Sequence, residues 1–322
     1  MAPQLIFGTA GFGMDKSEFH DLESARAVLK TAQGLGIKRL DSAARYPPLN
    51  PGRSETLLGE ARELSRDFEV DTKVYTDTRT DGSGDLSRDA ISKSVEASLK
   101  RLNRPEGVNV LHVHRADPST PLEEQIQGFN EQIELGHCKA WGLSNVSPST
   151  LTKILSLCEA NGWRKPACYQ GEYSLISRGA ETHLLPLLRQ HGIRFNAFRA
   201  AASGLLTGNA VAGRAAGTRF GDDNPLGVAM NRVFGAPDLR AAVTAFDAGV
   251  REKGALPLEV AIRWVMYHSA LGDEDGVLIG ASKTAQVVET VEFVRRGPLP
   301  DELVKLAEGL WDAVKDTRSE II

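Results

Sequence analysis

Short apolar runs alternate with helix-patterned segments along nearly the whole chain, and this alternation restricts the fold more than any other feature. The runs are LIFGTAGFG (5–13), KRLDSAARY (38–46), FEVDTKVY (68–75), GVNVLHVHRAD (107–117), CKAWGLSNV (138–146), ACYQGEYS (167–174), IRFNAFRA (193–200) and DGVLIGAS (275–282). Between them lie segments with helical apolar spacing, such as LESARAVLKTAQGLG (22–36), which ends on glycine, and a helix from about Leu86 to Leu102. SPSTLTKILSLCEANG opens with Ser147 as a cap and Pro148 in the first turn. Strand-then-helix units at this spacing predict a parallel sheet, and eight of them closed on themselves predict a (β/α)8 TIM barrel spanning 1–322 as one domain. An open doubly wound sheet is the alternative. Against it, GTAGFG is not GxGxxG, and no acidic residue about 20 positions on ends a second strand in the expected way. The segment 200–235 exceeds usual loop lengths and reads as a lid or binding loop.

Bulk properties exclude several classes. The 322 residues are 41% hydrophobic and 25% charged, which disfavours disorder. Net charge is −4 with a pI near 6.0 and no basic stripe, so nucleic acid is not the expected partner. The three cysteines, Cys138, Cys158 and Cys168, form no CxxC pair and fit a reducing compartment. The start MAPQLIFGTAGFGMD lacks a basic, apolar leader, and no stretch approaches the roughly 20 apolar residues of a membrane span. A cytoplasmic protein is expected.

A barrel of this kind carries its active site at the C-terminal ends of its strands. The polar residues there are Asp41 with Tyr46 just beyond, Lys73, His112 and His114, Ser144 and Asn145, Gln170 and Tyr173, and Ser282 with Lys283. Asp, Tyr, Lys and His can together form a proton-donating set. A free phenol titrates near 10, and a nearby ammonium stabilises the phenolate. A buried lysine needs a counter-charge, which Asp41 can supply. A neutral imidazole can orient a carbonyl oxygen beside the phenol. Such a set could protonate that oxygen while hydride reaches the carbon. None of the four is a hydride source, so a nicotinamide is implied. Plainer readings exist: Lys73 as a solvated edge residue, Tyr46 as a packing phenol, and His112, one layer deeper than His114, as a core histidine. A metal pair in HVH would need further histidines and acids at other strand ends. His20, His137, His183, His191 and His268 fall in helical or loop patterns, so no metal site is expected.

LDSAARY…GRSETLLG, DTKVY, SLKRLN…VNVLHVHRAD, GLSNVS, CEANGW…ACYQGEYS, SGLLTG and VLIGAS, in this order and spacing, resemble the aldo-keto reductases, most closely their aflatoxin-aldehyde and succinic-semialdehyde reductase branch. The resemblance runs from FGTAGFG to about Phe293. It implies a barrel that binds NADPH in an extended pose without a Rossmann fold, and an NADPH-dependent reduction of an aldehyde or ketone. The family's tetrad falls on Asp41, Tyr46, Lys73 and His114: Tyr46 as general acid, Lys73 as its partner, Asp41 holding Lys73, and His114 orienting the carbonyl. The nicotinamide amide would meet Ser144, Asn145 and Gln170, whose side chains both donate and accept. Read without the family, these are a helix cap and a buried polar filler. The ring that stacks on the nicotinamide, usually Tyr, is Phe198.

The pyrophosphate loop of relatives matches Ser203 to Gly208, bringing Ser203, Gly204, Leu205 and Thr207 to the cofactor through backbone N–H groups. Arg219 matches a family arginine near the cofactor. The adenosine-phosphate segment matches Gly280, Ser282, Lys283, Gln286 and Glu289, and a serine with a lysine suits a 2′-phosphate. The chain also departs from its relatives. Asn-Pro-Leu after the stacking ring is here Arg199, Ala200 and Ala201. The lysine after LLTG is Asn209, so a phosphate contact is lost unless Arg199 or Lys283 compensates. The Asn that reads the adenine edge is Thr290. A Tyr and an Arg on the substrate side are Ala229 and Met230, which removes a carboxylate-binding group. These replacements imply a hydrophobic or aromatic carbonyl, acted on in detoxification or secondary-metabolite biosynthesis, with Phe12, Met14 and the 220–235 loop against it. A homodimer follows by analogy. A regulatory NADPH-binding barrel with little turnover and a metal-dependent hydrolase are the rival readings.

Overall fold

In the computed structural model, which describes residues 2–319 except 222, 223 and 225, eight parallel strands follow one another around a closed barrel. They are β1 (Gln4–Gly8), β2 (Arg39–Asp41), β3 (Glu69–Lys73), β4 (Val108–His112), β5 (Cys138–Ser144), β6 (Cys168–Glu172), β7 (Arg194–Phe198) and β8 (Gly276–Gly280). Each lies within one of the eight apolar runs, except that β1 begins one residue earlier, at Gln4. Closure is made by β1 against β8, in register from Gln4↔Gly276 to Gly8↔Gly280. Gly276 is needed there: a Cβ would stand 2.5 Å from Ile6 Cδ1 and 2.6 Å from Asn196 Oδ1.

The crossovers are helical for local reasons. Asp21 and Ser24 form a reciprocal capping box on the helix Leu22–Gly34. Ser87 caps Arg88–Leu102, and Ser147, as expected, caps Pro148–Asn161 with Pro148 in the first turn. Strand alternation sends one set of side chains to the helices and the other to the barrel axis. Phe7, Leu40, Val70 and Leu111 face outward as a buried apolar layer. At about 1.5–3 kcal/mol per fully buried large side chain, this layer is the main stabilising element. The inward set mixes Ile6 and Val110 with polar residues: Arg39 Nε donates to Asp71 at 2.8 Å deep in the barrel, below Asp41, Lys73 and His112.

Two departures from the sequence reading concern length. The 200–235 segment is not all loop: it holds a 3-10 stretch, Ala202–Thr207, and an α-helix, Gly227–Phe234. The expectation that 220–235 lines the substrate falls partly on 222, 223 and 225, outside the described residues. A C-terminal helix, Asp301–Arg318, follows the eighth unit and packs against Pro237–Glu252 and Pro257–Tyr267. Leu303, Ala307, Leu310 and Val314 form its buried stripe. Among the described residues no helix is long and apolar enough to cross a membrane.

Candidate active site

Asp41 ends β2 and Lys73 ends β3, so the two side chains meet at the barrel mouth. Lys73 Nζ donates to Asp41 Oδ1 at 2.7 Å, to Oδ2 at 2.6 Å and to the Ser42 carbonyl at 2.8 Å. Both side chains are buried. Burial works against the ammonium, but the attraction of Asp41, helped by Tyr46 and Asp71, outweighs it and holds Lys73 above its ordinary range. Gln170 donates from Nε2 to Asp41 Oδ1 at 2.8 Å, which ties β6 to the same carboxylate.

Tyr46 lies five residues beyond Asp41, and its ring centroid is 5.0 Å from Lys73 Nζ. His114 meets the Tyr46 ring edge-on, centroids 5.6 Å apart and planes at 87°. Burial pushes the phenol up, Lys73 and Arg219 pull it down, and Asp41 pushes it up; the balance leaves Tyr46 above its ordinary value. The expected lowering by Lys73 is therefore present but outweighed, and the Tyr46 phenol stays protonated. His114 is held down to about 3, first by burial and then by Lys73, Arg45 and Arg115, so its imidazole is neutral. His112 is fully buried below it in the core, with Nε2 3.8 Å from Cys168 Sγ; its Nδ1 has no hydrogen-bond partner among the described residues, so it is a core histidine but not a satisfied one.

The residues that the resemblance assigns to the nicotinamide sit on adjoining strands. Ser144 ends β5 opposite Gln170. Asn145 has φ +55° and donates from Nδ2 to the His114 carbonyl at 2.9 Å and to Ser144 Oγ at 3.0 Å. Phe198 ends β7 and is half-buried. Beyond it Arg199, Ala202, Ser203 and Gly204 all have positive φ, which bends the chain sharply over the mouth. Thr207 Oγ1 donates to the Gly204 carbonyl at 2.7 Å, Leu205 is buried, and Asn209 Oδ1 accepts from Arg214 Nε at 3.2 Å. Arg219 interacts electrostatically with both the Arg199 guanidinium and the Tyr46 phenol. At the far edge, beyond Gly280, Gln286 Oε1 accepts from the backbone of Ser282 at 2.9 Å and of Lys283 at 3.1 Å; Glu289 is exposed one turn on.

Two buried polar atoms fit a bound dinucleotide. His114 Nδ1 and Ser203 Oγ have no hydrogen-bond partner among the described residues, one beside the phenol and one in the left-handed loop. A buried polar atom without a partner is costly and calls for a ligand or water. No metal is read from the nearby Asp41, Asp71 and His112: the two carboxylates already hold Lys73 and Arg39, cations that would repel a metal ion.

Three expectations are corrected. Phe12 does not face the mouth; it is fully buried in the outer layer, its ring 5.9 Å from Phe7 and 5.5 Å from Phe19. Tyr173, on the opposite face of the chain from Gln170 and Glu172, points into the helix layer, donating to Glu181 at 2.6 Å. Arg199 does not stand free for a phosphate; its Nη1 donates to Glu172 at 2.6 Å. Met14 is half-buried in the turn after β1. Sequence reasoning missed Glu172, although its spacing of two from Gln170 on one strand marks it as inward-facing.

The sequence matches the aldo/keto reductase family over residues 4–312. It is 36% identical to the oxidoreductase sirO of Leptosphaeria maculans, over 98% of this chain and 95% of that one. It is 30% identical to aflatoxin B1 aldehyde reductase member 2 of Mus musculus, over 98% of this chain and 86% of that one. To aflatoxin B1 aldehyde reductase member 4 of Homo sapiens it is 28% identical over 92% of each. Fold, strand-end residues and sequence agree: the chain is an oxidoreductase belonging to the aldo/keto reductase family.

Proposed function

We propose that the protein uses NADPH to reduce a hydrophobic or aromatic aldehyde or ketone to the alcohol. The observation that carries this reading is the buried Lys73–Asp41 pair under the Tyr46 ring, with neutral His114 at its edge. When bound, the nicotinamide supplies hydride to the carbonyl carbon. The protein's part is to hold and protonate the oxygen. Tyr46 donates its phenolic proton as negative charge grows on that oxygen. The phenolate left behind is stabilised by the Lys73 ammonium, which Asp41 keeps charged and in place. His114 stays neutral and directs a ring nitrogen at the carbonyl oxygen, while Asn145 fixes the backbone that carries it.

Ser144, Asn145 and Gln170 would hold the carboxamide, Phe198 would stack on the ring, and the Ala202–Thr207 turn with Arg219 would take the pyrophosphate. Ser282 and Lys283 would take a 2′-phosphate, which favours NADPH over NADH. The apolar preference rests on Ala229 and Met230, which leave no arginine for a substrate carboxylate at those positions.

The test is oxidation of NADPH and of NADH, followed at 340 nm, across a panel that includes aromatic aldehydes, aliphatic ketones and succinic semialdehyde. The expected result is faster turnover with NADPH and with the aromatic aldehydes. Equal rates with succinic semialdehyde would count against the substrate class. NADPH binding without turnover of any carbonyl would favour a regulatory barrel.

A further inference from the structure

Glu172 is a buried carboxylate that this chemistry leaves unused. It ends β6 on the same side as Gln170, in register with Phe198 across the β6–β7 pair. Its Oε2 accepts from Arg199 Nη1 at 2.6 Å, and its Oε1 accepts from Ser177 Oγ at 3.0 Å. Arg318, in the last turn of the C-terminal helix, approaches the same Oε1 at 3.5 Å. Arg318 is itself anchored, donating to the Ile176 and Val233 carbonyls at 3.1 Å each and to Ser177 Oγ at 2.9 Å. The Arg199 guanidinium lies 5.6 Å from the centroid of the Phe198 ring. One network therefore runs from the C-terminal helix, through Arg318 and Glu172, to the ring at the mouth.

Arg199 also has φ +59°, a conformation that disfavours any residue but glycine and, less strongly, asparagine. Strain of this kind persists where the surroundings impose it. Here the surroundings are a charge-assisted bond to a carboxylate and a ring face, both of which fix direction. With its charge compensated by Glu172, Arg199 is poorly placed to serve as a phosphate ligand, a task left to Arg219.

Resting on the cofactor reading above, we propose that Arg199 is a positioning residue: paired with Glu172 and anchored through Arg318, it fixes the Phe198 ring as the platform on which the nicotinamide stacks. The network acts on the nicotinamide end of the dinucleotide and leaves the phosphate end alone.

Two probes separate the ends: NADPH, and 2′,5′-ADP, which carries the 2′-phosphate but no nicotinamide. Each is titrated by calorimetry into the full chain as wild type, Arg199→Gln, Arg199→Lys, Glu172→Gln and the Arg199→Gln/Glu172→Gln double variant. The melting temperature is recorded for each. NADPH binding should weaken about ten-fold in either Gln variant and no further in the double variant. Arg199→Lys, which keeps the charge without the fork, should fall between and guards against loss of fold in the Gln variants. Binding of 2′,5′-ADP should stay within about two-fold of wild type, as expected when no contact to it is lost. Equal weakening for both probes would make Arg199 a phosphate ligand and overturn the proposal. No weakening for either would reduce the pair to a structural bridge. A wild type that binds neither probe would overturn the nicotinamide reading itself, and this inference with it.

Discussion

Lys73 offers its ammonium to both oxygens of Asp41, at 2.7 and 2.6 Å, and lies 5.0 Å from the centroid of the Tyr46 ring. One cation thus serves a buried carboxylate and a phenol together. Asp41→Asn removes the counter-charge and leaves a buried ammonium. Breaking such a pair costs about 3–5 kcal/mol. We expect a loss of that order in urea unfolding, and a fall in kcat of about a hundred-fold or more as Tyr46 loses its support. Unchanged stability would mean that Lys73 is held by other groups.

The two barrel histidines set a pH dependence of stability. His114 is held down to about 3 and His112 well below the ordinary 6.5, chiefly by burial and then by Lys73. Below about pH 6.5 the unfolded chain binds protons at these positions that the native state refuses. Their contribution is therefore complete above about pH 6.5 and is lost as pH falls toward 3. Urea midpoints between pH 7.5 and 5 should drop less in His114→Gln than in wild type. Equal drops would show that His114 is protonated freely in the native state.

Asn145 combines a left-handed backbone with a side chain that bridges His114 and Ser144. Asn145→Ala should both strain the turn, by about 1 kcal/mol, and lose the bridge. Asn145→Gly relieves the strain and loses only the bridge. The KM for NADPH should rise in both, whereas the melting temperature should fall further in the alanine variant. A glycine variant with wild-type KM would remove Asn145 from the proposed carboxamide site.

The eight-fold alternation made the barrel legible, because parallel strands and amphipathic helices carry distinct periods that the chain repeats eight times, with 200–235 as the long insertion after the seventh strand. Asp41 and Lys73 were legible for the same reason: a polar residue ending an apolar strand must project at the mouth. Phe12 was misread because an aromatic in a glycine-rich turn gives no sign of direction; three rings, Phe7, Phe12 and Phe19, close on one another behind the strand. The net upward shift of Tyr46 was hidden because it depends on how far burial outweighs one nearby ammonium. The Arg318–Glu172–Arg199 network joins residues 119 positions apart from Arg199 to Arg318, a pairing that only the folded chain creates.

The central claim is that Tyr46 gives the proton. Steady-state NADPH oxidation by wild type and Tyr46→Phe, with one aromatic aldehyde that wild type reduces, tests it most directly, alongside the Kd of each for NADPH. The account predicts a rate at least a hundred-fold lower in the variant, the order of a lost general acid, with NADPH affinity nearly unchanged. A Tyr46→Phe enzyme as fast as wild type would contradict it.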